Sequence, residues 1–517
     1  MMNGISSIFE KISNSKNPLI ILCIIGLAIR LILTPTLTFN IDTGYWAEVI
    51  EVFRNGFGLY GTAGYYYTPI WGYCLGFVSL IMQILGMTDY GVYAPEMAHL
   101  VNEDFKISSF VTSVQFNTML KIPLILVDLA TAYLLYVFVK KNTGDEKKSI
   151  LAFSLWFFSP LIITQSSVHG MFDNISAMLM LITVMLLLER KYFIAGFAYS
   201  IALLTKFFPL FFIFFLIAMV LKKEGVDLNG IKKLSLAIIG SVIGFILVYV
   251  PNIINGDIWL SLYFITSRIG LSKEALASIG PMKTALILSA FVILTAAFLL
   301  AIYLFGPRII KKLETIDEHE RNRKIAKILL IIAAVMIVLV GSYILFDAIT
   351  NPKGLEAVGL KGVLLFYIFS IFLEIYLAYR MIMEEKFDDR KMITYLFLTA
   401  LSVILWPCAP SYILVVLPFV IIYAMIIDGR YIKPFIVLSV ALTFQEITAF
   451  MTSPTSLLLL LIGNVEMMIP IYEFLAFPVI FGLTGAVLLG FTAIIGWFSI
   501  IYLSYKWYSE YFHRGEV

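Results

Sequence analysis

The chain has 517 residues, of which 61% are hydrophobic and only 14% are charged, and its mean hydropathy is +0.94. This composition leaves too little polar surface to cover a soluble globule of that length. The net charge is +3, and no basic block with interleaved aromatic residues is present, which argues against nucleic acid as a partner. Charges cluster between apolar runs of about 17 to 25 residues, the length that crosses a hydrocarbon core. The sequence therefore predicts an all-α polytopic membrane protein.

The apolar runs predict about 14 transmembrane helices, with about 11 as the lower bound. We place the spans at residues 18–37, 116–139, 150–166, 174–189, 192–204, 207–221, 234–250, 284–305, 328–348, 362–380, 393–408, 412–427, 434–450 and 478–504.

The distribution of lysine and arginine predicts the orientation in the cell membrane. Clusters such as Lys147-Lys148, Lys222-Lys223 and Lys232-Lys233 follow the positive-inside rule if both termini are cytoplasmic. Counting residues 69–87 as a full span would move these clusters outside, so we interpret that run as an interfacial or re-entrant helix. Since we find no repeat and no linker, residues 1–517 are predicted to form a single integral membrane domain.

The first span leads into a long extracytoplasmic loop, residues 38–115. Within it, Trp46, Val49, Ile50 and Phe53 recur at helical spacing on one face. Such a stripe is typical of a helix that lies in the membrane interface with its apolar side down. A short helix that packs within an extracytoplasmic cap has the same periodicity and remains the alternative.

Two charged residues lie at similar depth in the first two spans. Arg30 is about twelve residues from the cytoplasmic start of its span, and Asp128 is about twelve residues before Lys140, which ends the next span. Burying a charge at mid-membrane costs roughly 2.5–3.5 kcal/mol, so equal depth favours a buried structural ion pair. The alternative is that Arg30 extends toward the outer headgroups. We expect Glu374, which is close to Arg380, to extend toward the cytoplasmic headgroups.

Several polar residues collect at the outer face in this topology: Asp42, His169, Asp173, Lys206 and Arg268. Carboxylates and cations at one membrane face suit a reaction on a lipid phosphate, with a base for the acceptor and cations for the phosphate. Each residue also has an ordinary explanation. Asp42 could be a turn residue, His169 a hydrogen-bonded loop histidine and Lys206 an interface anchor.

The order of these elements resembles the C superfamily of glycosyltransferases, multi-spanning enzymes that use polyprenyl-phosphate sugars. Members resemble one another in a first span followed at once by an outward acidic residue and a long outer loop. The similar segments here are Arg30 to Asp42, Tyr45-Trp46-Ala47-Glu48, Tyr65-Tyr66-Tyr67-Thr68-Pro69-Ile70-Trp71, Lys121-Ile122-Pro123 with Asp128, and residues 154–210.

The most similar segment is 154–210, with His169-Gly170-Met171-Phe172-Asp173 followed by Ala195-Gly196-Phe197-Ala198 and Thr205-Lys206 with Pro209. Many relatives have Gly-Gln-Phe-Asp where this chain has Gly-Met-Phe-Asp, so an amide contact is not expected at Met171. The resemblance covers residues 1–250, and residues 251–517 correspond to the variable C-terminal transmembrane helices of such families.

The resemblance implies an inverting hexosyltransferase, for example a mannosyltransferase, that takes its sugar from a polyprenyl-phosphate or dolichyl-phosphate donor on the extracytoplasmic side. The acceptor would be a glycan, a lipid or a protein, with membrane lipids as the surroundings. Asp42 would be the general base, and Lys206 with Arg268 would bind the phosphate. His169, Asp173, Tyr67 and Trp71 complete the implied substrate-binding set.

The resemblance implies no cofactor, because single-phosphate donors are mostly used without a metal. Asp42-Thr43 also lacks the adjacent acidic partner seen in several members, although Asp42, His169 and Asp173 together could hold a divalent ion. A lipid-linked sugar flippase or secondary transporter is the alternative function, and it would favour repeats and midplane charges. A non-catalytic scaffold, which would tolerate loss of Asp42, is a third.

Overall fold

The computed structural model describes residues 15, 17–56, 58–60, 65, 67–93, 110–263, 273–350, 354–404, 410–451, 478–480, 483–484, 502 and 505. The described chain is predominantly helical, as the composition predicts. Its helices are α1 Pro18–Thr36, α2 Asn40–Arg54, α3 Pro69–Ile84, α4 Val114–Thr143, α5 Glu146–Phe157, α6 Pro160–Ile163, α7 Asp173–Leu188, α8 Tyr192–Thr205, α9 Ile213–Glu224, α10 Leu228–Asn255, α11 Lys273–Ala277, α12 Pro281–Glu314, α13 Glu318–Thr350, α14 Gly354–Met383, α15 Asp389–Ile404, α16 Leu417–Ile426 and α17 Ile432–Met451.

Short irregular elements connect some of these helices. A π-helical turn, Thr164–His169, continues α6, and 3₁₀ turns occupy Phe208–Phe212, Ile258–Leu262, Pro410–Val415 and Gly429–Tyr431. The extended segments in the described residues are two small antiparallel pairs: β1 Gly91–Tyr93 with β2 Phe110–Thr112, and β3 Pro478–Ile480 with β4 Leu483–Thr484.

The long apolar helices establish an all-α membrane protein with several spans. Five described helices are long and apolar enough to cross a bilayer, namely α1, α4, α10, α12 and α13. A sixth span results if α5 and the segment Pro160–His169, which meet at a bend of 44°, are counted together. The described helices therefore do not reproduce the predicted count of about 14, since several predicted spans are shorter helices or pairs of elements.

Local differences from the predicted spans have identifiable causes. The predicted span 207–221 begins with a 3₁₀ turn at Phe208–Phe212, where Pro209 fits the first positions of a turn, and only then continues as α9. Residues 478–480 and 483–484 pair as β3 and β4, so the predicted span 478–504 does not start as a helix. Most of its remaining residues lie outside the described part of the chain.

The apolar run at residues 69–87, which we did not count among the predicted spans, forms a 16-residue helix, α3. At 1.5 Å per residue it is about 24 Å long, which is shorter than the hydrocarbon core of about 30 Å. Trp71, Leu75, Val78 and Met82 are buried along one face. This length fits the interpretation of residues 69–87 as something other than a full span.

The apolar stripe of the first loop packs inside the protein. Trp46, Val49 and Ile50 on α2 are at most 1% exposed, whereas Glu48 and Glu51 face outward. Their burial is due to protein neighbours, including Phe172, whose ring centroid is 5.9 Å from that of Trp46. The interfacial orientation predicted for this helix is therefore wrong, and the packing alternative describes it. The fourth residue of the stripe is Phe53, whose side chain lies outside the described part of the structure.

Contacts divide the chain into two compact units, each built from separated segments. The first comprises Met1–Leu59, Gly72–Met178 and Ala409–Val517, and the second Tyr60–Trp71 and Leu179–Cys408. In the first unit, α4 packs against α1 and α5, and α16 packs against both α4 and α5. In the second, α8 packs along α10, and α14 packs against α9, α13 and α15.

Candidate active site

Three ionisable side chains form a connected cluster in the first unit, which we call the Asp42–His169–Glu446 triad. Asp42 Oδ2 makes a short hydrogen bond with His169 Nε2, and His169 Nδ1 lies 2.6 Å from Glu446 Oε1. His169 and Glu446 have no exposed side-chain surface, whereas the Asp42 side chain is 19% exposed. Of the three, Asp42 is therefore the group that is accessible from solvent.

Asp42 owes its position to the junction between α1 and α2. Lys121 on α4 is fully buried, and its ammonium group donates hydrogen bonds to the carbonyl oxygens of Thr34, at 3.2 Å, and Leu37, at 2.6 Å. These carbonyls lie at the end of α1, where they lack helical partners. Thr43, next to Asp42, donates to the carbonyl of Phe39. These hydrogen bonds hold the chain between α1 and Asp42 in place.

His169 is the last residue of the π-helical turn Thr164–His169. The turn ends at Gly170, which has φ of +76°, and the amide of Met171 donates to the carbonyl of Gln165 at 2.9 Å. The left-handed conformation suits a residue without a β-carbon. π-Helical turns within α-helices are frequent at functional sites, where the extra residue redirects side chains. The edge of the Phe39 ring contacts the imidazole, with centroids 4.6 Å apart.

Glu446 is the member of the triad that sequence reasoning missed. It lies in α17 and is separated from His169 by 277 positions along the chain. The sequence did contain a signal for it, because Glu446 is a carboxylate inside the predicted span 434–450. Burying such a charge in a membrane costs free energy unless it has a partner. Its partner could not be deduced, since the sequence contains no indication that α17 approaches the π-helical turn.

The predicted ion pair between Arg30 and Asp128 is present, and it contacts the π-helical turn that carries His169. Asp128 Oδ2 accepts hydrogen bonds from Arg30 and, at 2.5 Å, from Ser166, while its Oδ1 accepts one from Asn174 at 2.8 Å. Arg30 also donates to the carbonyl of Phe157 at 2.8 Å. The pair is fully enclosed, so Arg30 does not extend to the outer headgroups. It joins α1, α4 and the π-helical turn that carries His169.

Asp173 begins α7 and is completely buried. A carboxylate at the first position of a helix is stabilised by the unpaired amide groups and the helix dipole there. It follows His169 by four residues, and the left-handed turn at Gly170 lies between them. Its location fits a structural helix-start residue as well as the predicted contribution to a substrate pocket.

Lys206, Tyr67 and Trp71 belong to the second unit. Lys206 follows the last residue of α8, and its ammonium nitrogen lies 4.8 Å from the centre of the Tyr67 ring, the distance of a cation–π contact. Thr68 donates a short hydrogen bond to the carbonyl of Leu204. The Tyr- and Pro-rich segment is thereby attached to the end of α8, so two of the predicted substrate-binding residues are in contact. All three side chains are at most 7% exposed.

Two further predictions concern Arg268 and Glu374. Arg268 lies outside the described residues, so its predicted part in phosphate binding has no structural account. Glu374 does not extend toward the cytoplasmic headgroups. It is 1% exposed and accepts a hydrogen bond of 3.0 Å from Ser402, because α15 packs against α14 and supplies a hydroxyl partner within the protein.

Within the described ranges, no group of three histidine, cysteine or acidic side chains is arranged to hold a metal ion. In the triad, the two ring nitrogens of His169 point in opposite directions and each faces a carboxylate. The arrangement is that of a hydrogen-bonded chain of proton donors and acceptors.

No family model, no curated protein and no solved structure matches this chain. A partly exposed carboxylate that is hydrogen-bonded to an imidazole, itself held by a buried carboxylate, is an arrangement suited to general-base catalysis.

Proposed function

We propose that this protein is a membrane glycosyltransferase that transfers a hexose, for example mannose, from a polyprenyl-phosphate donor to a hydroxyl acceptor with inversion. The observation that carries the proposal is the accessible carboxylate of Asp42, held by buried His169 directly after the first membrane helix. The similarity of residues 154–210 and of the first span to the C superfamily of glycosyltransferases points to the same reaction class.

In this reaction Asp42 takes the proton of the acceptor hydroxyl while the acceptor oxygen attacks C1 of the sugar. The bond between C1 and the phosphate oxygen breaks, and its electron pair leaves with the carrier phosphate. Phosphate is a good leaving group, so a strong general acid is not required. The proposed role of Lys206, with Arg268, is to stabilise the charge on the departing phosphate.

We place the site on the extracytoplasmic face, with both termini in the cytoplasm, because the positive-inside rule requires the loop after α1 to lie outside. A membrane arrangement of about 14 spans of the C-superfamily type belongs to the same proposal. It rests on the apolar runs of the sequence, of which the described residues supply five or six as long helices.

The direct test is sugar transfer from radiolabelled polyprenyl-phosphate hexoses in proteoliposomes, with the wild type beside Asp42→Asn. We expect the variant to lose at least about 10²-fold in rate, the usual contribution of a general base. Glu48→Gln is the matched control, because Glu48 lies on the same helix but is exposed. We expect it to keep wild-type activity, and we expect EDTA to have no effect on either protein.

Other outcomes would assign another function. Full activity in Asp42→Asn would remove this residue as the base. Movement of the lipid carrier across the bilayer, without sugar transfer from any donor, would instead support a flippase. Normal growth of cells that carry only Asp42→Asn would support a scaffold.

A further inference from the structure

The proposed base, Asp42, is hydrogen-bonded to His169, and His169 is in turn hydrogen-bonded to Glu446. Glu446 Oε1 lies 2.6 Å from His169 Nδ1, and the Glu446 side chain has no exposed surface. Its other oxygen, Oε2, has no hydrogen-bond partner among the described residues. A buried carboxylate is costly unless a charged or hydrogen-bonded group compensates it, and here the imidazole is the group that does so.

We propose that Glu446 is a positioning residue for Asp42, which keeps His169 doubly protonated so that the imidazolium Nε2–H always donates to Asp42 Oδ2. The inference rests on the proposed function, since it assigns a purpose to Glu446 in the reaction that Asp42 starts. It concerns a residue in α17, far along the chain from the segments that resemble glycosyltransferases.

Two protons on the ring account for both contacts of the imidazole. A neutral imidazole has one N–H donor and one acceptor nitrogen, so it cannot donate to two carboxylates. Both ring nitrogens face carboxylate oxygens, which are acceptors when ionised. With two protons on the ring, the triad carries one positive and two negative charges, and the two oxygens that face the ring, Asp42 Oδ2 and Glu446 Oε1, each have a donor. Without Glu446, the second proton would lose its acceptor.

The surroundings of His169 are consistent with this charge state. Asp42 faces the ring from α2, Glu446 faces it from α17, and the Phe39 ring lies edge-on against it. Among the described residues, Lys121 on α4 is a cation that lies beside Gly170. Two of the ammonium hydrogens of Lys121 are donated to the carbonyl oxygens of Thr34 and Leu37 at the end of α1. The carboxylates are the groups in direct contact with the imidazole nitrogens.

The benefit for the reaction is a base in a fixed state and orientation. The hydrogen bond from the imidazolium holds the Asp42 carboxylate in one orientation. The hydrogen bond to Oδ2 leaves Oδ1 to receive the acceptor's proton. After transfer, Asp42 is neutral, and it returns the proton to the outer solution through its exposed surface. His169 and Glu446 change neither bonds nor net proton count over the cycle.

The first test does not depend on activity and uses the full-length protein in lipid. Nitrogen NMR of ¹⁵N-histidine-labelled protein reports the protonation of each imidazole, and His169→Gln assigns the signal of interest among four histidines. At neutral pH we expect both ring nitrogens of His169 to be protonated in the wild type and one to be unprotonated in Glu446→Gln. An unprotonated nitrogen in the wild type, or a double-protonated ring in the variant, overturns the proposal.

The second test separates positioning from a structural contribution. Ser439→Ala is the matched control, because Ser439 lies in α17 too and its buried hydroxyl is 2.6 Å from that of Ser159. We expect Glu446→Gln to lower kcat at least 10-fold, on the order expected for a group that supports a general base, with the KM for the donor little changed. The alkaline limb of its rate profile should move to lower pH, while Glu446→Asp recovers part of the rate. Ser439→Ala should leave kcat and the profile as in the wild type.

The two proposals fail in distinguishable ways. If the wild type transfers no sugar but the NMR result holds, the triad exists and the reaction is a different one. If Asp42→Asn abolishes transfer while Glu446→Gln behaves like Ser439→Ala in rate, pH profile and NMR spectrum, the transferase is supported and Glu446 is structural.

Discussion

Arg30 Nη2 lies 3.2 Å from Asp128 Oδ2, and neither side chain has exposed surface. The two residues are 98 positions apart, so the pair ties the first membrane helix to α4. Ser166 and Asn174 complete the hydrogen bonds of the carboxylate, and Ser166 lies three residues before His169. The ion pair therefore orders the turn that presents the imidazole to Asp42.

Breaking this pair from one side should destabilise the protein strongly. We expect Arg30→Met to lower the free energy of unfolding by about 3–5 kcal/mol, because Asp128 is left as a buried unpaired charge. The double variant Arg30→Met with Asp128→Leu should lose less than the sum of the two single changes. Thermal unfolding in detergent measures this. Lys140→Met, which breaks the exposed pair with Glu146, should cost less than about 1 kcal/mol.

Lys121 should be required for the conformation that connects α1 to Asp42. We expect Lys121→Met to leave the buried carbonyl oxygen of Thr34 and the partly buried one of Leu37 without this donor, at a cost of about 1–3 kcal/mol each at most. We expect a large loss in the rate of the proposed sugar transfer with only a small drop in the melting temperature, since Asp42 is five residues beyond Leu37. A variant with normal transfer would show that the junction does not depend on the lysine.

Gly170 should tolerate no side chain, for two combined reasons. Its φ is +76°, and a β-carbon there would lie 3.4 Å from both Leu120 and Thr43. We expect Gly170→Ala to cost more than the 1–2 kcal/mol of left-handed strain alone and to reduce transfer by displacing His169. Gly144→Ala is the control, because Gly144 has φ of +69° but open space around it. Equal losses in stability and activity would contradict the role of crowding.

The close packing of α8 on α10 should depend on Gly196. A β-carbon at this position would lie 1.8 Å from the carbonyl oxygen of Ala237, a contact that backbone movement alone can relieve. We therefore expect Gly196→Ala to destabilise the helix pair by at least about 1–3 kcal/mol. Gly341→Ala, within α13 and without neighbours, should be neutral or should stabilise the helix by up to about 1 kcal/mol. Unfolding followed in detergent compares the two.

Lys206 should affect the donor rather than the fold. If its ammonium group binds the phosphate, Lys206→Met should raise the KM for the polyprenyl-phosphate sugar or lower kcat/KM by about 10-fold or more. Lys191→Met is the control, because Lys191 flanks the other end of α8 and is half-exposed. Unchanged donor kinetics in Lys206→Met would limit this residue to its contact with the Tyr67 ring.

Some features of this protein follow from the sequence because they depend on local composition or on one physical rule. The class of an all-α membrane protein follows from the length and polarity of the apolar runs. The Arg30–Asp128 pair followed from equal depth on two neighbouring helices, since a buried charge requires a partner. Asp42 and His169 were selected individually, and the structure places them in direct contact.

Other features required the tertiary structure. The orientation of α2 was decided by protein neighbours that cover Trp46 and Ile50, while periodicity fits both lipid and protein as the apolar partner. Glu374 found a hydroxyl partner in Ser402 on α15 instead of reaching the headgroups.

Glu446 shows most clearly why such contacts cannot be deduced from the sequence. The sequence determines that a carboxylate within an apolar span needs a partner, because burial without one is too costly. It does not determine which partner, because residues 277 positions apart meet only through the packing of whole helices. Composition and helix periodicity act within one segment, whereas the triad is assembled from several segments. Only the tertiary fold brings those segments within hydrogen-bond distance.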